Sequence, residues 1–228
     1  MKNKLILPDR LKAVVSLIPK CNVLADIGTD HAYIPIHAVL NGIAKTSIAA
    51  DVVEGPLKIA KQNINTYMLS EKISVVKSNG LKNIINADLI VIAGMGGTLI
   101  GEILEADTDK AKNASALVLQ PMSCTYELRK KLHILGFMID KEILVRDSGK
   151  IYTAMVVKKG QQQFDSNIQY EIGKYLIDTK PPLFNEYINH KISVYSKRIL
   201  NMENSLNKQV RTEINSLKKT VEQLKGLM

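Results

Sequence analysis

Apolar positions along the chain follow two rhythms. From residue 23, short runs rich in Val, Ile, Leu and Ala alternate with longer segments whose apolar side chains return every three or four positions. The first kind suits strands buried on both faces and the second suits crossover helices, so the alternation predicts a parallel sheet wound with helices. Strands are expected at Val23 to Ile27, Thr46 to Ala50, Ile73 to Lys77, Leu89 to Ala93 and Ala116 to Gln120. Helices are expected near Pro35 to Asn41, Gly55 to Tyr67, Thr98 to Glu105 and Cys124 to Leu135, each opening near a Pro, Gly or Thr. After Gly136 the helices stop. Phe137 to Arg146 and Ile151 to Lys158 read as two strands joined by Asp147-Ser148-Gly149-Lys150, a hairpin signal. The expected fold is α/β: a Rossmann-like sheet of seven strands, one of them antiparallel.

Residues 160–167, GQQQFDSN, are polar and mark a linker, which divides the chain into a first domain over 1–160 and a helical domain over 161–228. Ile168 to Asp178 predicts a short amphipathic helix stopped by Pro181-Pro182. From Phe184 onward apolar residues recur in steps of three and four to Met228, the stripe of a coiled coil. Asn201, Asn204, Ser205 and Asn207 weaken a helix halfway along, which favours a helical hairpin turning near 203–208. Such a hairpin supports the fold, dimerises, or grips a substrate; a monomer is expected. At the N-terminus, Asp9, Arg10 and Lys12 interrupt the apolar run before it reaches signal-peptide length, and Pro8-Asp9 opens a surface helix. No apolar run approaches the roughly 20 residues that span a bilayer, so a cytoplasmic protein without a membrane partner is expected.

Composition narrows the function. The chain has 228 residues, 46% of them apolar and 23% charged, in the globular range. Cys21 and Cys124 have no short-range partner and the four histidines lack ligand spacing, so neither a metal nor a disulfide framework is expected. Thirty-one Lys and Arg against 22 Asp and Glu leave a net charge of +9, which favours a polyanionic partner, nucleic acid before a membrane surface. The competing explanation is a lysine-rich composition, since only five of the 31 are Arg.

In an open parallel sheet, ligands bind beyond the carboxyl ends of the strands. After the first strand stands Asp26-Ile27-Gly28-Thr29-Asp30-His31-Ala32-Tyr33, with an acceptor at the strand end and a glycine that admits a close ligand. Asp51, followed by Val52, lies 23 residues beyond Gly28, where a nucleoside-binding fold places the carboxylate that holds ribose hydroxyls. After the third strand, Asn79-Gly80-Leu81 offers an amide to an adenine edge and a leucine to its face. After the fourth, Ala93-Gly94-Met95-Gly96-Gly97 gives a backbone-rich floor. The first loop lacks a full G-x-G-x-x-G, and its extra carboxylate Asp30 repels phosphate, which counts against NAD or FAD. A ligand with ribose, adenine, a positive centre and no phosphate fits better: S-adenosylmethionine, with S-adenosylhomocysteine as its product.

The stretches ADIGTDHAYIPI, IAGMGGTLI and LQPM, followed by the coiled-coil tail, resemble the bacterial tRNA (adenine-N1)-methyltransferase family that modifies adenine-22 in the D-arm, the TrmK family. The resemblance implies a class I methyltransferase fold, S-adenosylmethionine as donor and tRNA as substrate. It places Asp26, Gly28, Asp51, Asn79, Gly80 and the Gly94 to Gly97 turn around the cofactor. Asn79 stands where many relatives carry Asp; Asn also donates, which changes that contact. Other acceptors, another RNA base or a protein, remain alternatives, as does a non-catalytic RNA-binding role.

For catalysis the candidates are Asp30, His31 and Tyr33. Adenine N1 has an in-plane lone pair, so transfer needs alignment more than a strong base, and an acceptor near the amino group stabilises the cationic product. Asp30 takes that role or else caps the following helix. His31 and Tyr33 orient or stack on the base, or serve hydrogen bonding and packing. No D/N-P-P-Y follows the fourth strand, and neither cysteine lies on the line of attack on a pyrimidine. Arg10 and Lys12 near the active-site face, with Lys2 and Lys4 and with Arg129 to Lys131, are expected to form a basic rim for RNA. Lys197 and Arg198 extend it along the tail.

Overall fold

The computed structural model describes residues 5–203 and 207–228. Its chain divides into two compact units, 1–163 and 164–228. The first runs α1 (Asp9–Ser16), β1 (Cys21–Ile27), α2 (Tyr33–Leu40), β2 (Ala44–Asp51), α3 (Glu54–Thr66), β3 (Ile73–Lys77), β4 (Leu89–Gly96), α4 (Gly97–Ala106), α5 (Thr108–Asn113), β5 (Ala116–Ser123), α6 (Thr125–Ile134), β6 (Phe137–Asp147) and β7 (Lys150–Lys159).

The strands form one sheet in the order β3-β2-β1-β4-β5-β7-β6. Neighbours among β1 to β5 are parallel, while β7 lies antiparallel between β5 and β6. The reversal follows from the tight turn at Ser148 and Gly149, both at positive φ (48° and 76°), a conformation that suits a two-residue hairpin. Strand β4 shows why the central strands are continuous apolar runs. Ile90 and Ile92 pack on the face covered by Ile100, Leu104, Leu128 and Leu132 of α4 and α6. Leu89 and Val91 face Val14, Ile34 and Ala38 of α1 and α2. A further cluster joins α2 and α3 to β2 through Ile36, Ala60, Ile64 and Ala49. Burying such side chains contributes about 1.5–3 kcal/mol each and holds the strand ends in register.

Strands β1, β2, β4 and β5 are longer than the apolar runs predict. Strand β4 continues through Gly94 and Met95 to Gly96, with its pairing to β5 shifting at Ala93/Met95. This irregularity lifts the chain out of the flat ladder at the carboxyl edge, a common device beside a site. Helix α5, which no strong periodicity announces, fills the short crossover before β5.

In the second unit the single helix expected over 168–178 is two, α7 (Asn167–Ile172) and α8 (Lys174–Thr179), divided at Gly173 where φ is 104°. Helices α9 (Phe184–Met202) and α10 (Lys208–Lys225) pack on each other. The break falls at the helix-weakening cluster, with residues 204–206 of the expected turn outside the described residues. Of the described stripe residues from Phe184 on, all are buried or half-buried except Met228. Arg198 of α9 pairs with Glu213 of α10, and Lys191 pairs with Glu171 of α7 at 2.7 Å. Among the described residues, no helix is long and apolar enough to cross a membrane, and no group of three or more His, Cys, Asp or Glu could hold a metal ion.

Candidate functional site

The carboxyl ends of β1 and β4 and the N-terminal helix α1 enclose a cavity of ≈ 240 Å³. Asp26, Gly28, Asp30 and Tyr33 line one side, Ala93, Gly94 and Met95 another, and Pro8, Arg10 and Leu11 close it from α1. Seven residues singled out from the sequence as site residues beyond β1 and β4 therefore meet in one place.

Asp26 ends β1 with its carboxyl 4% exposed, and Thr29 Oγ1 donates to its Oδ2 at 2.7 Å. Burial pushes its pKa up from 3.8 to about 7; the Thr29 hydrogen bond opposes that rise, and the negative charges of Asp51 and Asp30 add to it. A buried carboxylate whose charged neighbours are negative calls for a cation. Gly28 follows at φ +72°, and a Cβ there would lie 1.9 Å from Met95 Cε, so the mobile end of Met95 covers the backbone where a ligand would approach. Gly97 has a different reason: a Cβ would lie 2.2 Å from the Cys124 carbonyl oxygen, because α4 starts hard against the end of β5.

His31 and Ala32 both adopt left-handed backbone, at φ 60° and 56°. Consecutive non-glycine residues there cost about 1–3 kcal/mol each and persist only where the surroundings hold them. Ala32 is fully buried, and Asn63 Nδ2 donates to the His31 carbonyl at 3.0 Å. The kink leaves Asp30 exposed at the cavity edge, with its Oδ1 3.1 Å from His31 Nε2. The His31 ring stacks on Tyr33, with centroids 5.2 Å apart and 12° between planes. Helix α2 has Ala32 as its N-cap residue and no side-chain cap, so the helix-capping alternative for Asp30 is removed.

Beyond this cavity, Asp51 ends β2 and its Oδ1 accepts from Val53 N at 2.7 Å, which fixes the carboxylate. Val52 and Val53 are more than half exposed despite being apolar, a ready face for a flat ring. Asn79 is exposed beyond β3, which pairs beside β2.

Several expectations need correction. Leu81 is fully buried in the core with Ile84 and Ile90, so its side chain cannot lie on adenine; the exposed apolar side chains beside Asp51 are Val52 and Val53, a feature that only burial reveals. Ile27 and Thr29 are 2% and 0% exposed, which leaves only their backbones to a ligand. Arg129 belongs to no rim: it is fully buried and bound to buried Glu142 at 2.6 Å. Lys131 pairs with Glu105 at 2.8 Å and Lys12 with Asp9 at 2.7 Å. Arg10 turns into the cavity, where Nη1 donates to Gln120 Oε1 at 2.6 Å. Gln120, which the sequence offers after the fifth apolar run as part of LQPM but with no role, is fully buried within β5. In the tail, Lys197 and Arg198 are exposed, the latter bound to Glu213.

A reversed seventh strand in this order, with acidic residues ending β1 and β2 and no phosphate loop between, defines a Rossmann-like methyltransferase. The family profile described as TrmK: tRNA (adenine(22)-N(1))-methyltransferase matches residues 24–226, and the chain belongs to that family. It is 34% identical to the tRNA (adenine(22)-N(1))-methyltransferase of Bacillus subtilis, over 93% of this chain and 94% of that one. The crystal structure of the B. subtilis m1A22 tRNA methyltransferase TrmK superposes with a TM-score of 0.90 at 31% identity, covering 98% of this chain and 99% of that one. A putative m1A22 methyltransferase from Streptococcus pneumoniae, solved in complex with S-adenosyl-L-methionine, gives 0.83 at 34% identity over 97% and 99%.

Proposed function

We infer that the protein methylates N1 of adenine-22 in tRNA with S-adenosylmethionine as methyl donor. The observation that carries this reading is family membership over nearly the full chain, joined to a cavity at the carboxyl ends of β1 and β4 lined by the buried Asp26 carboxylate. The residues fit the donor. Asp51, oriented by Val53 N, offers an oxygen to ribose hydroxyls, while Val52 and Asn79 flank the adenine by face and edge. The Gly28 and Gly94 backbones border the amino-acid end. The donor supplies a methyl group on a sulfonium, which departs as a neutral thioether when N1 gives its lone pair to the methyl carbon.

N1-methyladenine is cationic, and the protein's part is to hold the base in line and receive that charge. Asp30 is the acceptor for the exocyclic amine: exposed at the cavity edge, fixed by a strained kink and paired with His31. Tyr33, stacked on His31, provides an aromatic surface for a base drawn out of its helix. Residues 1–163 form the methyltransferase domain. The exposed cations Lys197, Lys208, Arg211, Lys218 and Lys219 of the second unit contact tRNA phosphates. The stripe residues of α9 and α10 are spent on each other, which supports a monomer, and tRNA as substrate supports a cytoplasmic location. Labelled methyl transfer to unmodified tRNA tests the reading; transfer to a different base or to protein alone would refute it.

A further inference from the structure

The loop between β1 and α2 is held in two separate pieces. Its first half is pinned to β2: Gly28 N and Thr29 N both donate to the Ala50 carbonyl, at 2.8 and 2.9 Å, and Thr29 Oγ1 donates to Asp26 at 2.7 Å. Its second half turns on the left-handed pair His31 and Ala32, which no glycine relaxes, and carries the three groups assigned to the target base, Asp30, His31 and Tyr33. Helix α3 holds this half. Asn63, in the last turn of that helix, donates from Nδ2 to the His31 carbonyl at 3.0 Å, and Ala32 shares a core cluster with Ala60 and Ile64 of the same helix. The Ala32 carbonyl in turn accepts from Ile36 N at 3.0 Å and begins α2.

Asn is a weak helix former, and a half-buried amide costs free energy unless it is bonded, so its bond to a loop 32 residues away is what position 63 gains. The loop gains more. Two consecutive residues with a Cβ leave the left-handed region unless their surroundings hold them there. Without the bond from Asn63, His31 and Ala32 relax to negative φ, and the rotation carries the Asp30 carboxylate and the stacked His31 and Tyr33 rings away from the cavity edge. Gly28 and Thr29 stay in place, because their bonds run to β2. We propose that Asn63 is a positioning residue for methyl transfer: it holds the left-handed pair and through it sets Asp30, His31 and Tyr33 against the target base, independently of how the donor is held. This rests on the function reading above and deepens it. Asn63 acts through the His31 carbonyl and not on the base or the donor.

The test reads three quantities in wild type and Asn63→Leu: single-turnover transfer to tRNA at saturating S-adenosylmethionine, calorimetric affinity for S-adenosylhomocysteine, and the carbon chemical shifts of Ala32, which report its φ. Asn63→Leu keeps the size of the side chain and removes the donor. It is expected to lower the transfer rate by about 10- to 10²-fold, the cost of misplaced groups. S-adenosylhomocysteine affinity should stay within about twofold, and the Ala32 shifts should leave their left-handed values. Should Asn63→Leu not fold, Asn63→Asp, which keeps the shape and cannot donate when ionised, reads the same losses. The decisive variant is Asn63→Leu with Ala32→Gly. Glycine adopts positive φ without a Cβ penalty, so this chain should regain most of the lost rate. A defect of packing would not be rescued by taking a further methyl group out of the core. An unchanged rate, Ala32 shifts indifferent to Asn63, or a rate that falls only in step with donor affinity would each overturn the proposal. Failure of Ala32→Gly to recover the rate would make Asn63 merely structural and overturn it as well. A wild type that transfers no methyl group to tRNA would instead refute the function reading itself, and is told apart because every other outcome starts from an active wild type.

Discussion

Replacing Asp26 with Asn tests the electrostatics of the cavity directly. In the cofactor-free protein, burial and the negative charges of Asp51 and Asp30 outweigh the Thr29 hydrogen bond and push Asp26 from 3.8 to about 7. At 1.36 kcal/mol per pH unit this corresponds to about 4 kcal/mol by which the fold disfavours the ionised carboxyl, to order of magnitude. The folded-state pKa is raised, so the stabilising contribution is complete below about pH 4 and is lost as pH rises through about 7. Urea unfolding of the free protein between pH 5 and 8 should therefore show wild type losing stability relative to Asp26→Asn, whose position 26 carries no charge at any pH. Arg10 on α1 lines the same cavity. A bound ammonium demands the ionised carboxylate. Affinity of wild type for S-adenosylhomocysteine should then rise with pH up to about 7, with about half a proton released per ligand at pH 7, and Asp26→Asn should be weaker and flat. Parallel stability curves for the two proteins would refute the reasoning, whatever the activity.

Asp51→Ala should weaken S-adenosylhomocysteine and 5′-methylthioadenosine alike, by about 1.5–3 kcal/mol, the worth of a charged hydrogen bond to ribose; calorimetry that spared either ligand would contradict its role. Asp30→Ala is expected to lower single-turnover methyl transfer by about 10²-fold or more at saturating cofactor, the outcome for an acceptor that receives charge in the transition state; an unchanged rate would remove it from catalysis. Arg129→Met should destabilise the fold by about 3–5 kcal/mol in urea by leaving the buried Glu142 carboxyl without its guanidinium, and Glu142→Leu in the same chain should restore most of it. Lys197→Glu with Arg198→Glu should weaken tRNA binding and reduce the slope of log K against log salt by about one per lost phosphate contact; an unchanged slope would remove α9 from the interface.

The sheet was legible because its determinants are local. Leu89 to Ile92 is apolar on both faces, Ser148-Gly149 satisfies a positive-φ turn, and the Asn and Ser residues near 204 interrupt a stripe that was otherwise continuous. The strand-end carboxylates were legible too, since β1 and β2 must finish near Asp26 and Asp51. What stayed hidden depends on contacts between distant positions. Leu81 and Asn79 look equally available in sequence, but the turn at Gly80 sends Leu81 into the core. Arg129 and Lys130 look alike until Glu142, on a strand of its own, proves to be buried opposite the first. Arg10 read as surface charge because nothing nearby in the chain hints at Gln120. The left-handed pair at His31 and Ala32 is held by Asn63, again through tertiary contact, and this fixes the edge on which Asp30 stands.

The central claim is that this chain places a methyl group on one nitrogen of one nucleotide. Incubating the purified protein with unmodified tRNA and labelled S-adenosylmethionine, then identifying the modified nucleoside by mass spectrometry and its position by reverse-transcription arrest, tests it most directly. The account predicts N1-methyladenosine at position 22 in the D-arm, and none there once adenine-22 is replaced. Robust cofactor binding with no label in tRNA, or label on another base, would contradict it.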